Sequence, residues 1–153
     1  MSNEPESISV LLVEDNEIDV EITRRVLAKS GAAIALEVAR DGSEALALLS
    51  RSRTQRDREA QPRLPSLVLL DLRLPLMDGR ELLRRIKNDT ELCAIPVAVL
   101  TGSTGEKPML ECMELGSNMY FVKPMTVSDA ATLIPAIRKY WAVIEQLRSR
   151  RAA

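Results

Sequence analysis

Apolar residues in this chain fall alternately into short unbroken runs and into helical stripes. Ile8 to Val13 (ISVLLV) is such a run, closed by Glu14-Asp15-Asn16, and predicts a buried strand. Helical spacing follows at Ile18, Ile22, Val26 and Leu27, with Gly31 placed to cap it. Ile34 to Ala39 (IALEVA) mixes apolar and polar positions, as a strand near a sheet edge would. Asp41-Gly42 turns the chain, and Ser43 to Leu49 begins a second helix. Ser66 to Leu70 predicts a third strand ending at Asp71, after which Asp78-Gly79 leads into the amphipathic stretch Arg80 to Ile86. Ile95-Pro96 opens a fourth strand, Val97 to Leu100, ending in Thr101-Gly102-Ser103. Met109, Leu110, Met113 and Leu115 form a stripe closed by Gly116. Met119 to Val122 predicts the fifth strand, ending in Lys123-Pro124, and a last helix runs from about Ser128 toward Arg148.

Five strands alternating with five helices imply an α/β fold, a doubly wound five-stranded parallel sheet covered on both faces. The flavodoxin-like strand order 2-1-3-4-5 is expected. The domain is expected to span residues 8–148 with an extended C-terminal helix, between a disordered 1–7 and a tail at 149–153. Residues 51–63 interrupt the pattern with five Arg against one Asp and one Glu, which reads as a solvated helix end and loop.

Composition narrows the chemistry. With 21 Lys+Arg against 22 Asp+Glu there is no large nucleic-acid footprint, and the arginines at 148, 150 and 151 read as a solvated tail. Histidine is absent, which excludes Ser-His-Asp and Cys-His catalysis and histidine metal sites. Cys93 and Cys112 lack metal-ligand spacing and are expected in the core. No apolar run could span a bilayer, and the opening residues do not resemble a signal peptide, so a cytoplasmic protein is expected.

The predicted strands end in Glu14-Asp15, Asp71, Thr101 and Lys123, and a parallel sheet brings these ends to one rim. Strands one and three are neighbours in the expected order, so three carboxylates converge. They would repel one another unless a cation joins them. An all-oxygen set of this kind suits Mg²⁺ or Mn²⁺. A nucleotide-binding first loop would need glycines and free backbone donors, whereas this one presents negative charge.

Leu12-Val13-Glu14-Asp15-Asn16, the stretch Asp71 to Gly79 (DLRLPLMDG), Thr101-Gly102 and Tyr120-Phe121-Val122-Lys123-Pro124 together resemble the receiver domains of two-component response regulators. The resemblance covers roughly residues 8–138. It implies that Asp71 is a phosphoacceptor, taking a phosphoryl group from a histidine kinase with the aid of Mg²⁺. It further implies that Asp15 binds the metal directly, that Glu14 acts mostly through water, and that the Arg73 main-chain carbonyl is a further ligand. Lys123 would offset the charge and Thr101 would donate its hydroxyl to the phosphoryl group, with Gly102 leaving space for that movement. Tyr120 would turn inward when Thr101 moves, coupling the pocket to the face of the fourth helix, fifth strand and fifth helix. The Lys123-Pro124 bond would be cis.

Glu14 stands where the family more commonly has Asp, and Arg73 and Ser103 occupy positions that tune acyl-phosphate lifetime. The long ending is similar to single-domain regulators that partner bacterial phytochrome kinases. Ile137, Tyr140, Trp141, Ile144 and Leu147 continue an apolar stripe beyond what a receiver needs, and Pro135 should kink or restart that helix. Tyr140, Trp141, Ile144 and Leu147 are therefore expected at the interface of a homodimer. Two rival functions remain at this stage. An aspartyl-phosphate phosphatase of the haloacid dehalogenase type would want Asp where Arg73 stands. A receiver-like interaction module that takes no phosphate would not need Glu14, Asp15, Asp71, Thr101 and Lys123 together.

Overall fold

The computed structural model describes residues 7–54, 64–102 and 106–152. Their elements alternate along the chain: β1 (Ile8–Val13), α1 (Glu17–Ala28), β2 (Ile34–Ala39), α2 (Gly42–Thr54), β3 (Leu67–Leu70), α3 (Gly79–Asn88), β4 (Val97–Thr101), α4 (Glu106–Glu114), β5 (Met119–Val122) and α5 (Val127–Ala152). The strands form one parallel sheet in the order β2-β1-β3-β4-β5. The expected architecture and strand order are the observed ones.

Side chains alternate faces along a strand, and here each face carries its own core. Leu11, Val13, Val68, Leu70, Val97 and Val99 point to one side, where Ala45 and Leu49 of α2, Leu82, Leu83 and Ile86 of α3, and Cys112 of α4 cover them. Val10, Leu12, Leu67, Leu69, Ala98 and Leu100 point to the other, under Val20 and Leu27 of α1 and Ala130, Leu133, Ile134 and Ile137 of α5. Coverage on both faces explains why the inner strands read as unbroken apolar runs. At the edge, β2 alternates half-buried and exposed positions, as its mixed composition predicts.

Three helices differ in detail from their sequence patterns. In α1 the buried positions are Val20, Thr23 and Leu27, while Ile18 is 70% exposed because it lies in the first turn, at the sheet's carboxyl rim. In α4 the buried residue is Cys112, flanked by half-buried Met109 and Leu115, and Leu110 and Met113 face outward. In α5 the helix neither stops nor restarts at Pro135. Pro135 and Ala131, four residues earlier, are both exposed, so the hydrogen bond that the proline removes lies on the solvent side. Thr126 starts this helix reciprocally, its Oγ1 accepting from Asp129 N (3.0 Å) while Asp129 Oδ2 accepts from Thr126 N (2.9 Å).

Cys93 is exposed rather than in the core, since it sits in the turn after α3, whereas Cys112 is buried as expected. Residues 1–6 and 55–63 lie outside the described residues, and with them most of the expected disordered start and basic segment.

Candidate functional site

The register of the sheet builds the site. Val13 pairs with Leu70, so the next residues of β1 and β3, Glu14 and Asp71, leave the sheet side by side. Their backbones remain tied to neighbouring strands: Asp71 N donates to Val13 O (3.0 Å) and Glu14 N to Ala39 O (2.9 Å). Glu14 is 1% exposed and Asp71 5%, whereas Asp15 is open to solvent. One oxygen of each of Glu14, Asp15 and Asp71 lies within 4.8 Å of the other two. Hard carboxylate oxygens at this spacing fit a small divalent cation.

The electrostatics point the same way. Burial, with Asp71 alongside, pushes the Glu14 carboxyl up to about 7, with Lys123 pulling in the opposite direction. A carboxyl raised this far takes up a proton as the pH falls through neutrality, and a cation would compete with that proton.

Lys123 enters from the end of β5. Its N donates to Thr101 O (2.8 Å), and its bond to Pro124 is cis, as expected. Its ammonium donates to Asp71 Oδ2 (2.9 Å), to Asp19 Oδ2 (3.0 Å) and, very closely, to Glu14 Oε1. Burial alone would lower the lysine's pKa; the three carboxylate partners outweigh it and hold the group charged well above the ordinary range. Asp19 was not foreseen. It lies in the first turn of α1, where its backbone N donates to the capping Asn16 Oδ1 (3.0 Å).

The remaining expected residues lie on β4 and β5 and on the loops that follow β3 and β4. Thr101 closes β4 and is fully buried. Tyr120 pairs with Val99 and packs, half-buried, against the core under α2, α3 and α4, where burial raises its phenol pKa. Arg73 N donates to Asp71 Oδ1 (3.1 Å), and the residue itself is exposed. A β-carbon at Gly102 would meet nothing within 4 Å, so space is open there. Ser103 lies outside the described residues.

The distal stripe of α5 requires a correction. Trp141 Nε1 donates to Ser66 O (2.8 Å), Tyr140 OH donates closely to Ala94 O, and the two rings meet edge to face at 5.3 Å. Leu133 and Ile137 are buried in the same chain. Tyr140 and Trp141 therefore do not lie on a stripe without partners: the helix turns this side toward the amino-terminal end of the sheet, where two carbonyls accept their polar tips. What the distal half of α5 leaves exposed is Val143 and Leu147, beside half-buried Ile144.

Comparison with known proteins places this geometry in context. The family model described as "Response regulator receiver domain" matches residues 10–136. The response regulator Rcp1 of Synechocystis sp. is 40% identical over 140 residues, covering 92% of this chain and 91% of Rcp1. The crystal structure of the Mn²⁺-bound form of Rcp1 superposes with a TM-score of 0.67 at 39% identity, covering 88% of this chain and 94% of the other. The bacteriophytochrome response regulator AtBRR gives a TM-score of 0.73 at 40% identity, covering 87% and 94%. Among the described residues, no helix is long and apolar enough to cross a membrane.

Proposed function

This chain belongs to the response regulator receiver domain family, and from that membership we propose that Asp71 is its phosphoacceptor. The observation that carries the assignment is the meeting of Asp71 with two further carboxylates and one lysine at the carboxyl rim of the sheet. A carboxylate oxygen of Asp71 attacks the phosphorus of a phosphohistidine. The new O–P bond forms as the N–P bond breaks, and the kinase imidazole leaves. Glu14, Asp15 and Asp71 would hold the divalent cation, Mg²⁺ in the cell, with the Arg73 carbonyl as a further ligand. When bound, that cation supplies charge neutralisation between Asp71 and the incoming phosphoryl oxygens.

The chain's own groups do the rest. Lys123, held charged by its surroundings, compensates the phosphoryl group's negative charge, and Thr101 offers it a hydroxyl hydrogen bond. Movement of Thr101 leaves room for Tyr120 to turn inward, which carries the signal to the α4–β5–α5 face. Two outward residues there, Leu110 and Met113, give that face apolar contact area.

The partner we propose is a histidine kinase of the phytochrome type, in the cytoplasm, in keeping with the likeness to AtBRR, which is described as a bacteriophytochrome response regulator. We also propose a homodimer through the distal part of α5, now resting on Val143, Ile144 and Leu147 rather than on the aromatic pair. Phosphotransfer tests the main reading. A radiolabelled bacteriophytochrome kinase should lose its label to this protein within minutes in Mg²⁺ and retain it when offered Asp71→Asn. Equal transfer to both proteins contradicts the assignment.

A further inference from the structure

We propose that Asp19 is a positioning residue, the carboxylate that keeps hold of Lys123 when Glu14 and Asp71 turn to a divalent cation. The inference rests on the metal site proposed above and adds a residue to it. An ammonium has three N–H donors, and the Lys123 ammonium has three carboxylate partners: Glu14, Asp71 and Asp19. Two of these also belong to the cluster of oxygens suited to a cation; Asp19 does not. A cation entering that cluster therefore competes with Lys123 for Glu14 and Asp71.

The lysine side chain is only 15% exposed, so losing both partners would leave a buried charge poorly compensated. Asp19 removes most of that penalty. Its 3.0 Å contact with Nζ can persist while the other two are surrendered. The local structure fixes it there: Asn16 Oδ1 accepts from Asp19 N, and Asn16 N donates to Glu14 Oε2 (3.3 Å), so one short loop sets both carboxylates relative to the lysine. At 30% side-chain exposure, Asp19 also lies further toward solvent than Glu14 or Asp71. Lys123 drawn to that side would clear the cation's place and still stand at the pocket's edge.

The test is calorimetric titration of the full chain with Mn²⁺ alone, as a double-mutant cycle. Asp19→Asn should weaken binding roughly tenfold, the scale of one charge-assisted hydrogen bond. In a Lys123→Met background the same change should cost less than about twofold, because the residue acts through the lysine. Lys123→Gln serves as the background should Lys123→Met not fold, and Asp19→Glu should recover part of the loss. An equal loss in both backgrounds would mean simple attraction between Asp19 and the cation, and would overturn the proposal. Unchanged binding in Asp19→Asn overturns it alone, whereas no Mn²⁺ binding by the unaltered protein removes the metal site and this inference together.

Discussion

Gly79 packs its α-carbon against the main-chain carbonyl of Asp71: a β-carbon at position 79 would lie 2.5 Å from that oxygen and 2.6 Å from Leu72 Cα. Both neighbours are backbone, so neither can rotate away. Gly79 N also donates to Leu72 O (3.0 Å), which clamps the start of α3 to the loop that carries Asp71. Gly79→Ala must push that loop outward. We expect about 1–3 kcal/mol of destabilisation, the range for overpacking a tight contact, together with slower phosphorylation. Urea unfolding measures the first and mass analysis the second; a fully stable, fully active variant would show that the loop yields freely.

Proton and cation should compete at Glu14. Burial, with Asp71 alongside, raises its carboxyl to about 7, whereas a cation takes only the carboxylate. Lowering the pH below 7 therefore protonates the ligand and weakens metal binding; raising it above 7 has little further effect. Mn²⁺ affinity at pH 6 should be roughly tenfold below that at pH 8, by the relation of one pKa unit to a factor of ten. Equal affinities at the two pH values would dissociate Glu14 from the metal.

Leu76 adopts φ +70° and is 95% exposed, a left-handed backbone on a side chain with almost nothing to pack against. Such a residue costs on the order of 1–2 kcal/mol relative to one that tolerates this region. Leu76→Gly should leave stability unchanged or raise it by about 1 kcal/mol, glycine's unfolded-state entropy offsetting part of the gain. A clear loss of stability would reveal packing by Leu76 that its exposure hides.

On α5 the two sides of the distal helix should separate experimentally. Val143→Ser with Leu147→Ser removes exposed apolar surface and should give a monomer of undiminished stability. Trp141→Phe removes the donor to Ser66 O and should destabilise the fold by about 1 kcal/mol without changing the association state. Sedimentation of both variants checks this, and an unaltered protein that sediments as a monomer at tens of micromolar contradicts the dimer.

The sheet and most of its rim could be read from the sequence because each piece carries a local signal. Unbroken apolar runs end on Glu14, Asp71, Thr101 and Lys123, and parallel order alone brings those ends together. Asp19 gave no such signal: an acid in a helix's first turn reads as a complement to the helix dipole, and its lysine is 104 residues away. Tyr140 and Trp141 misled for a related reason. Their spacing fits an intermolecular stripe as well as it fits the real contacts, with carbonyls 46 and 75 residues distant. Periodicity identifies an apolar side of a helix but not the surface that meets it.

The most direct test of the central claim is intact-mass measurement after exposure to acetyl phosphate, with Mg²⁺ or with a chelator, on the unaltered protein and on Asp71→Asn. The account predicts a gain of one phosphoryl group in the unaltered protein with Mg²⁺ only, removable by hydroxylamine as an acyl phosphate should be. It predicts no gain in Asp71→Asn. A phosphoryl group that persists in Asp71→Asn, or that appears equally well in chelator, would contradict it.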